Sequence, residues 1–161
     1  MSALRVLEVD YLDPVQAADL VDLLDGYARD PAGGGQALSD FARSHLPAYL
    51  AARPAAFSVI AYDGEKPVGL VNCIEGFSTF ACRPLVNVHD VVVIASHRGS
   101  GVGRLMLKRV IDLAHRRGAC KLTLEVLSGN HSAIALYEKL GFAPYQLDPA
   151  MGQAQFFQLW L

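Results

Sequence analysis

The residues best suited to chemistry fall in one stretch, HRGSGVGRLMLKRV (97–110), where glycines at 99, 101 and 103 separate an apolar run from a helical pattern. Bare backbone of this kind lets N–H groups converge on an anion. A helix starting there adds about half a positive charge at its N-terminus. Arg98 and Arg104 can add charge-assisted hydrogen bonds. A diphosphate suits such a loop. A P-loop needs GxxxxGK[ST], whereas Gly103 is followed by Arg104-Leu105. A dinucleotide fingerprint needs GxGxxG, and neither Gly99 nor Gly101 has glycine at the third place. A turn that merely joins strand to helix stays open beside the phosphate reading. Just upstream, His89-Asp90 interrupts the otherwise apolar run LVNVHDVVVI (85–94).

The elements that must position these residues follow from periodicity. Arg5 to Val9 fits a first strand, and Asp13-Pro14 supplies an N-cap with proline at the first helical position. Ala17, Leu20, Val21 and Leu24 form the buried stripe of that helix. RDPAGGG (29–35) breaks the pattern as a loop. A second helix starts at Ser39 and carries Ala42, Leu46, Tyr49 and Leu50, with Pro47 expected to bend or divide it. Phe57–Tyr62 and Val68–Phe80 flank Asp63-Gly64 as an antiparallel hairpin. Leu85–Ile94 reads as a strand covered on both faces. After the glycine loop, Leu107, Val110, Ile111 and Ala114 mark a helix ending at Gly118. Cys120–Val126 alternates as a strand that closes a β-α-β unit. Ala133, Leu136, Tyr137 and Leu140 mark a short helix stopped by Gly141, and Phe156–Leu161 reads as a terminal strand.

Length and composition bound what these elements can build. The 161 residues, 52% apolar, fit one domain, residues 1–161. The net charge of −2 gives no general attraction to nucleic acid or anionic lipid, so phosphate affinity must be local. The start, MSALRVLEVDYLD, lacks a basic region followed by an apolar one, and no run approaches a membrane span. Soluble, cytoplasmic behaviour is the expectation. Cys73, Cys82 and Cys120 are odd in number and lack CxxC spacing, arguing against a disulfide framework and a metal site.

Arg98, Gly101 and Gly103 match the pattern Q/R-x-x-G-x-G/A. Asn130, Ala133, Tyr137, Gly141 and Phe142 match N-x-x-A-x-x-x-Y-x-x-x-G-F. Together these segments resemble the GCN5-related N-acetyltransferase (GNAT) superfamily from about Val86 to Phe142. The resemblance implies an α+β GNAT fold, a mixed and mostly antiparallel sheet of six or seven strands flanked by helices in three layers. It implies acetyl-CoA as cosubstrate and an amine as acceptor. The backbone of Arg98, Gly99, Ser100, Gly101, Val102, Gly103 and Arg104 would hold the pyrophosphate. Val91, Val92 and Val93 would hold the pantetheine arm through their backbone, with Asn130, Ala133 and Tyr137 adding cofactor contacts. The helices and loop near the N-terminus, Tyr27 to Gln36 above all, would wall the acceptor. Glu75-Gly76-Phe77 and Phe80 read as cleft or core, and aromatics along a strand are more often core. A homodimer through the terminal strand is a further implication.

In that superfamily a neutral amine attacks the thioester directly, which sets three needs. Freeing the lone pair of an ordinary lysine amine costs about 4.6 kcal/mol at neutral pH. His89, Asp90, Glu125 or water can take the proton. Under strict alternation His89 shares a face with Val91 and Val93 and Asp90 points oppositely, though a β-bulge would change this. A buried polar pair satisfied by backbone is the plainer reading of His89-Asp90. The oxyanion needs a preorganised N–H, expected near Val92 or Val93 by resemblance. The leaving thiolate needs a donor, and Tyr137 matches the superfamily's general acid. Proton transfer from an unperturbed tyrosine is uphill by about 2 kcal/mol, so a hydrogen bond can suffice. Tyr137 as core and Asn130 as a helix cap are the structural alternatives. Two other functions stay open: an inactive acyl-CoA sensor, and an interaction protein with a purely structural glycine loop.

Overall fold

The structure, a computed structural model, describes residues 4–161. The chain forms two compact units, a larger one ending at Leu127 and a smaller one, Ser128–Leu161. The larger unit runs β1 (Leu4–Glu8), α1 (Pro14–Arg29), α2 (Asp40–Ala51), β2 (Ala56–Asp63), β3 (Lys66–Ser78), β4 (Arg83–Val93), α3 (Val102–Arg116) and β5 (Leu122–Leu124). The smaller unit holds α4 (His131–Lys139). The sheet order is β1-β2-β3-β4-β5, antiparallel except for the β4–β5 pair, which is parallel.

Local chemistry sets the helix boundaries. The Asp13 carboxylate accepts from the Val15 and Gln16 amides at 2.9 and 3.3 Å, with Pro14 opening α1. Ser39 Oγ accepts from the Ala42 amide at 3.1 Å to start α2. Pro47 lies inside α2, which it does not divide. The one backbone bond it removes falls in a helix with no buried residue, where water can satisfy the orphaned carbonyl. Gly118, at φ 72°, closes the end of α3 with its N–H on the His115 carbonyl.

The sheet is covered on both faces. Leu20, Val21 and Leu23 of α1 cluster with Ile60, Tyr62, Leu70 and Val92. Gly69, next to Leu70, points the other way, and a Cβ there would stand 2.6 Å from Met106 Cε and 3.0 Å from Val102 Cγ1 of α3. α1 and α3 therefore enclose the sheet as the outer layers of an α+β fold, as the sequence implies.

The strand count differs from six or seven. Five strands are present among the described residues, and β5 covers only the middle of the expected Cys120–Val126. Phe156–Leu161 is not a strand, and Phe156, Phe157, Leu159, Trp160 and Leu161 are all exposed. Aromatic and aliphatic residues favour a strand only where a pleated, half-buried surface receives them, and here none does. No helix among the described residues is long and apolar enough to cross a membrane.

Candidate active site

The site begins with an irregularity in β4. Asn72 pairs with Asp90, but Cys73 pairs with Val88, so His89 is an extra residue, a β-bulge. The bulge resets the faces. Val91 and Val93 lie on the α3 side with Val88, not with the residues strict alternation would give them. Asp90 lies with Val92 on the α1 side. β5 pairs only with Val86–Val88, so pairing on that side of β4 stops where the bulge begins. From His89 to Val93 no strand among the described residues covers that edge. Backbone groups along that edge can bond an extended ligand, as an added strand would, except the Val93 carbonyl, which already accepts from Arg98 Nε.

β4 leads through Ile94 and a 3-10 turn, Ala95–His97, into the glycine loop. Gly99 and Gly101 have φ of 75° and 90°, a region that excludes most side chains. Gly101 is the residue before α3, and no side chain caps the helix. The first amide known to return to this turn is that of Leu105, on the Gly101 carbonyl. The N–H groups of Val102, Gly103 and Arg104 are thus the uncapped donors of the first turn, aimed where an anion is favoured. This arrangement fits a diphosphate, and the open β4 edge fits a pantetheine arm. Ser100 instead donates its hydroxyl to the His97 carbonyl. Arg98 gives Nε to the Val93 carbonyl at 3.1 Å and Nη2 to Asp30 at 3.2 Å, so its guanidinium joins the end of β4 to the loop after α1.

Of the proton-acceptor candidates, His89 is exposed and Asp90 half-buried, while Glu125 lies exposed beyond β5. Asp90 is held by a side chain and not by backbone, its Oδ2 accepting from Asn72 Nδ2 at 3.0 Å. Tyr27, in the last turns of α1, donates its hydroxyl to the Ala32 carbonyl at 3.3 Å. Its phenol pKa is raised by burial and then by the negative charges of Asp90 and Asp30.

The wall expected from Tyr27 to Gln36 is organised by two carboxylates. Asp30 Oδ1 accepts from the Ala32 amide and its carbonyl from the Gly33 and Gly35 amides, and its pKa is lowered by the Ala32 bond and then Arg98. Asp25 is buried and binds Arg29, Arg43 and the Leu38 amide, tying α1 to the start of α2. Its pKa falls to about 2, chiefly through the Arg29 bond, then Leu38 and Arg43, against burial.

The larger unit thus gathers His89, Asp90, Val91–Val93 and the loop 98–104. Asn130, Ala133 and Tyr137 belong to the smaller unit, the last two on α4 and Asn130 just before it. Asn130 Oδ1 caps that helix, accepting from the Ala133 amide at 3.3 Å. Tyr137 is buried, and its ring stands 5.9 Å from that of Phe142. Phe77 and Phe80, read as cleft or core, are exposed. Sequence reasoning missed Ser58 and Asn72, both buried and hydrogen-bonded into the site. The available signal was a lone polar residue in each of two apolar runs, AFSVIAY and GLVNCI.

β4, bulged at His89 and next to the last strand of the sheet, leads through an uncapped glycine turn into α3. The model of the acetyltransferase (GNAT) family matches residues 20–142, and the chain belongs to that family. It is 37% identical over 89 residues to streptothricin acetyltransferase of Streptomyces lavendulae, a match covering 53% of this chain and 47% of that protein. It is 43% identical over 53 residues to the ribosomal protein bS18-alanine N-acetyltransferase of Escherichia coli K12, covering 33% of this chain and 36% of that one. The chain therefore spans about half or less of the length of these relatives. Among solved structures, an aminoglycoside acetyltransferase from an uncultured soil metagenomic sample superposes with a TM-score of 0.78 at 15% identity, covering 98% and 97% of the two chains. A ribosomal-protein-alanine N-acetyltransferase from Brucella melitensis biovar Abortus 2308 gives 0.72 at 20% identity, covering 98% and 100%. Both likenesses are of fold.

Proposed function

We propose that this chain is a single-domain, cytoplasmic N-acetyltransferase that moves an acetyl group from acetyl-CoA to a primary amine by direct attack. The observation that carries this is the open, bulged edge of β4 running straight into the uncapped turn of α3. Acetyl-CoA supplies an acetyl group activated as a thioester. The amides at the start of α3 would bind its diphosphate, and Val91–Val93 would hold the pantetheine through backbone. Asp90, with His89 as the alternative, would accept the amine's proton. Tyr137 would donate a hydrogen bond to the departing thiolate, with Asn130 and Ala133 near the cofactor. The loop after α1 would select the acceptor. The relatives' names include an antibiotic and a ribosomal protein as substrates, so a small amine and a protein N-terminus are both within the proposal. A homodimer through the C-terminal segment is part of it.

The test measures thiol release from acetyl-CoA with tobramycin, spermidine and a peptide starting with alanine, beside calorimetry of CoA binding. Transfer to one of these amines supports the enzyme. CoA binding without transfer to any amine would make the chain a sensor, and no binding would leave the glycine loop structural. Tyr137→Phe is expected to lower kcat about tenfold, or about 1.4 kcal/mol, with CoA affinity within twofold. Unchanged turnover, with chemistry rate-limiting, would remove Tyr137 from the mechanism.

A further inference from the structure

A row of polar side chains crosses the α1 face of the sheet and ends at Asp90. Tyr11 follows β1, Ser58 lies on β2, Asn72 on β3 and Asp90 on β4. Ser58 is the direct cross-strand partner of Asn72, and Asn72 that of Asp90. The contacts are Tyr11 Oη to Ser58 Oγ at 2.8 Å, Ser58 Oγ to Asn72 Oδ1 at 2.6 Å and Asn72 Nδ2 to Asp90 Oδ2 at 3.0 Å. Ser58 is 0% exposed and Asn72 7%, so water does not substitute for the bond between them.

Valence gives the row a direction. An ionised carboxylate only accepts, so Asn72 must turn its amide N–H to Asp90 and its carbonyl to Ser58. Ser58 has one proton and donates it to that carbonyl, so its oxygen accepts from the Tyr11 hydroxyl. Every donor therefore points toward Asp90. The amide in the middle has no proton to release at ordinary pH, so the row is not a wire that carries protons away. It orients and polarises. Oδ2 of Asp90 is engaged, while Oδ1 takes no hydrogen bond from the described residues.

We propose that Asn72, backed by Ser58 and Tyr11, is a positioning residue that fixes the Asp90 carboxylate at the bulge and leaves Oδ1 to receive the acceptor amine's proton. This rests on the role given to Asp90 above. The titratable groups near Asp90 are Tyr27 from α1 and Cys73 from β3, with Tyr11 at the far end of the row. All three have raised pKa values, dominated by burial, and Cys73 is pushed up to about 12. They are neutral at physiological pH. A moving acidic limb therefore belongs to none of these three, and its loss in Asp90→Asn but not in His89→Asn assigns it to the carboxylate rather than to the adjacent His89.

Asn72→Asp keeps the shape but replaces the donor with a second carboxylate about 3 Å away, and two such groups share a proton. The acidic limb of kcat/KM, measured with the fastest amine of the panel, should move up by about one pH unit, with KM for acetyl-CoA within twofold. The carbon-13 carboxyl resonance of Asp90, assigned with Asp90→Asn, should titrate at correspondingly higher pH. Ser58→Ala should move both in the same direction by a smaller amount, and it decides the matter if Asn72→Asp does not fold. If Asp90→Asn turns over like the wild type, the role of Asp90 fails and the inference with it. If Asp90→Asn is slow but the Asn72 and Ser58 variants keep the wild-type limb and resonance, positioning alone is overturned.

Discussion

The β4–α3 region and the α1–α2 region do their work with different parts of the residue. In the first, the function proposed above rests, for the cofactor, on backbone: a bulge at His89, an uncovered strand edge and amides freed by the absence of a cap on α3. In the second, it rests on side chains, because Asp25 and Asp30 hold the loop and the start of α2 through carboxylate bonds. A backbone site binds what every member of a fold class binds, and its side chains can vary. A side-chain site can change its ligand by single substitutions without disturbing the sheet. On this division, the function proposed above puts acceptor choice in the α1–α2 region.

The sharpest way to break the comparison is to strain a glycine in each region equally. Gly101 and Gly34 have φ of 90° and 111°, and a Cβ at either would meet no atom within 4 Å. Alanine at each site should cost about 1–2 kcal/mol of backbone strain and little else in the fold. Gly101→Ala should also weaken CoA binding by about thirtyfold, about 2 kcal/mol, because the strained residue sets the amides of α3. Gly34→Ala should leave CoA binding within about twofold. Calorimetry with CoA, beside thermal melts, checks both; equal losses of affinity would mean that the two regions do not divide in this way.

The same division explains what could be read in the sequence. The glycine loop was legible because glycine announces positive φ, and β2, β3, β4, α1 and α3 because apolar spacing announces a buried face. The bulge was not, since it is set by the register of β4 against β3, and no residue type marks it. Likewise the row from Tyr11 to Asp90 exists only once four segments up to 79 residues apart are aligned, so Ser58 and Asn72 look alone in their strands. Arg98 reads as a phosphate ligand from its place in the loop; its ion pair with Asp30, 68 positions away in the chain, is not visible there. Phe156–Leu161 was over-read. Composition favoured a strand, and the partner edge that a strand requires is not a property of the segment.

Removing a carboxylate from the α1–α2 region should give an intermediate effect with its own pH signature. Asp25 has a folded pKa of about 2, below the 3.8 of an ordinary aspartate. A depressed pKa means that its stabilising contribution is complete above the ordinary value and is lost as pH falls from there through about 2. Asp25→Asn should therefore melt at lower temperature than the wild type near neutral pH, with the two melting points converging as pH approaches about 2. The apparent KM for the amine should rise severalfold while CoA affinity holds. Parallel melting curves across pH 4 to 2 would show that Arg29, Arg43 and the Leu38 amide do not depend on the charge of Asp25.

The smallest effect on stability is expected where the two regions meet, at Asp30 and Arg98. Their ion pair is 3.2 Å long but Arg98 is 59% exposed, a setting in which such pairs contribute about 0–1 kcal/mol. Asp30→Ala also frees the Ala32 amide, so the melting point should drop slightly, and CoA affinity should change by less than about threefold. Arg98→Ala removes the same pair and, in addition, a cation beside the amides of α3. It should weaken CoA binding by about tenfold, with a dependence on ionic strength that Asp30→Ala lacks. If the two variants bind CoA equally well, Arg98 serves the loop after α1 alone, and the diphosphate is left to backbone donors. That outcome would sharpen the contrast, because the donor half of the site would then use no charged side chain from its own loop except Arg104.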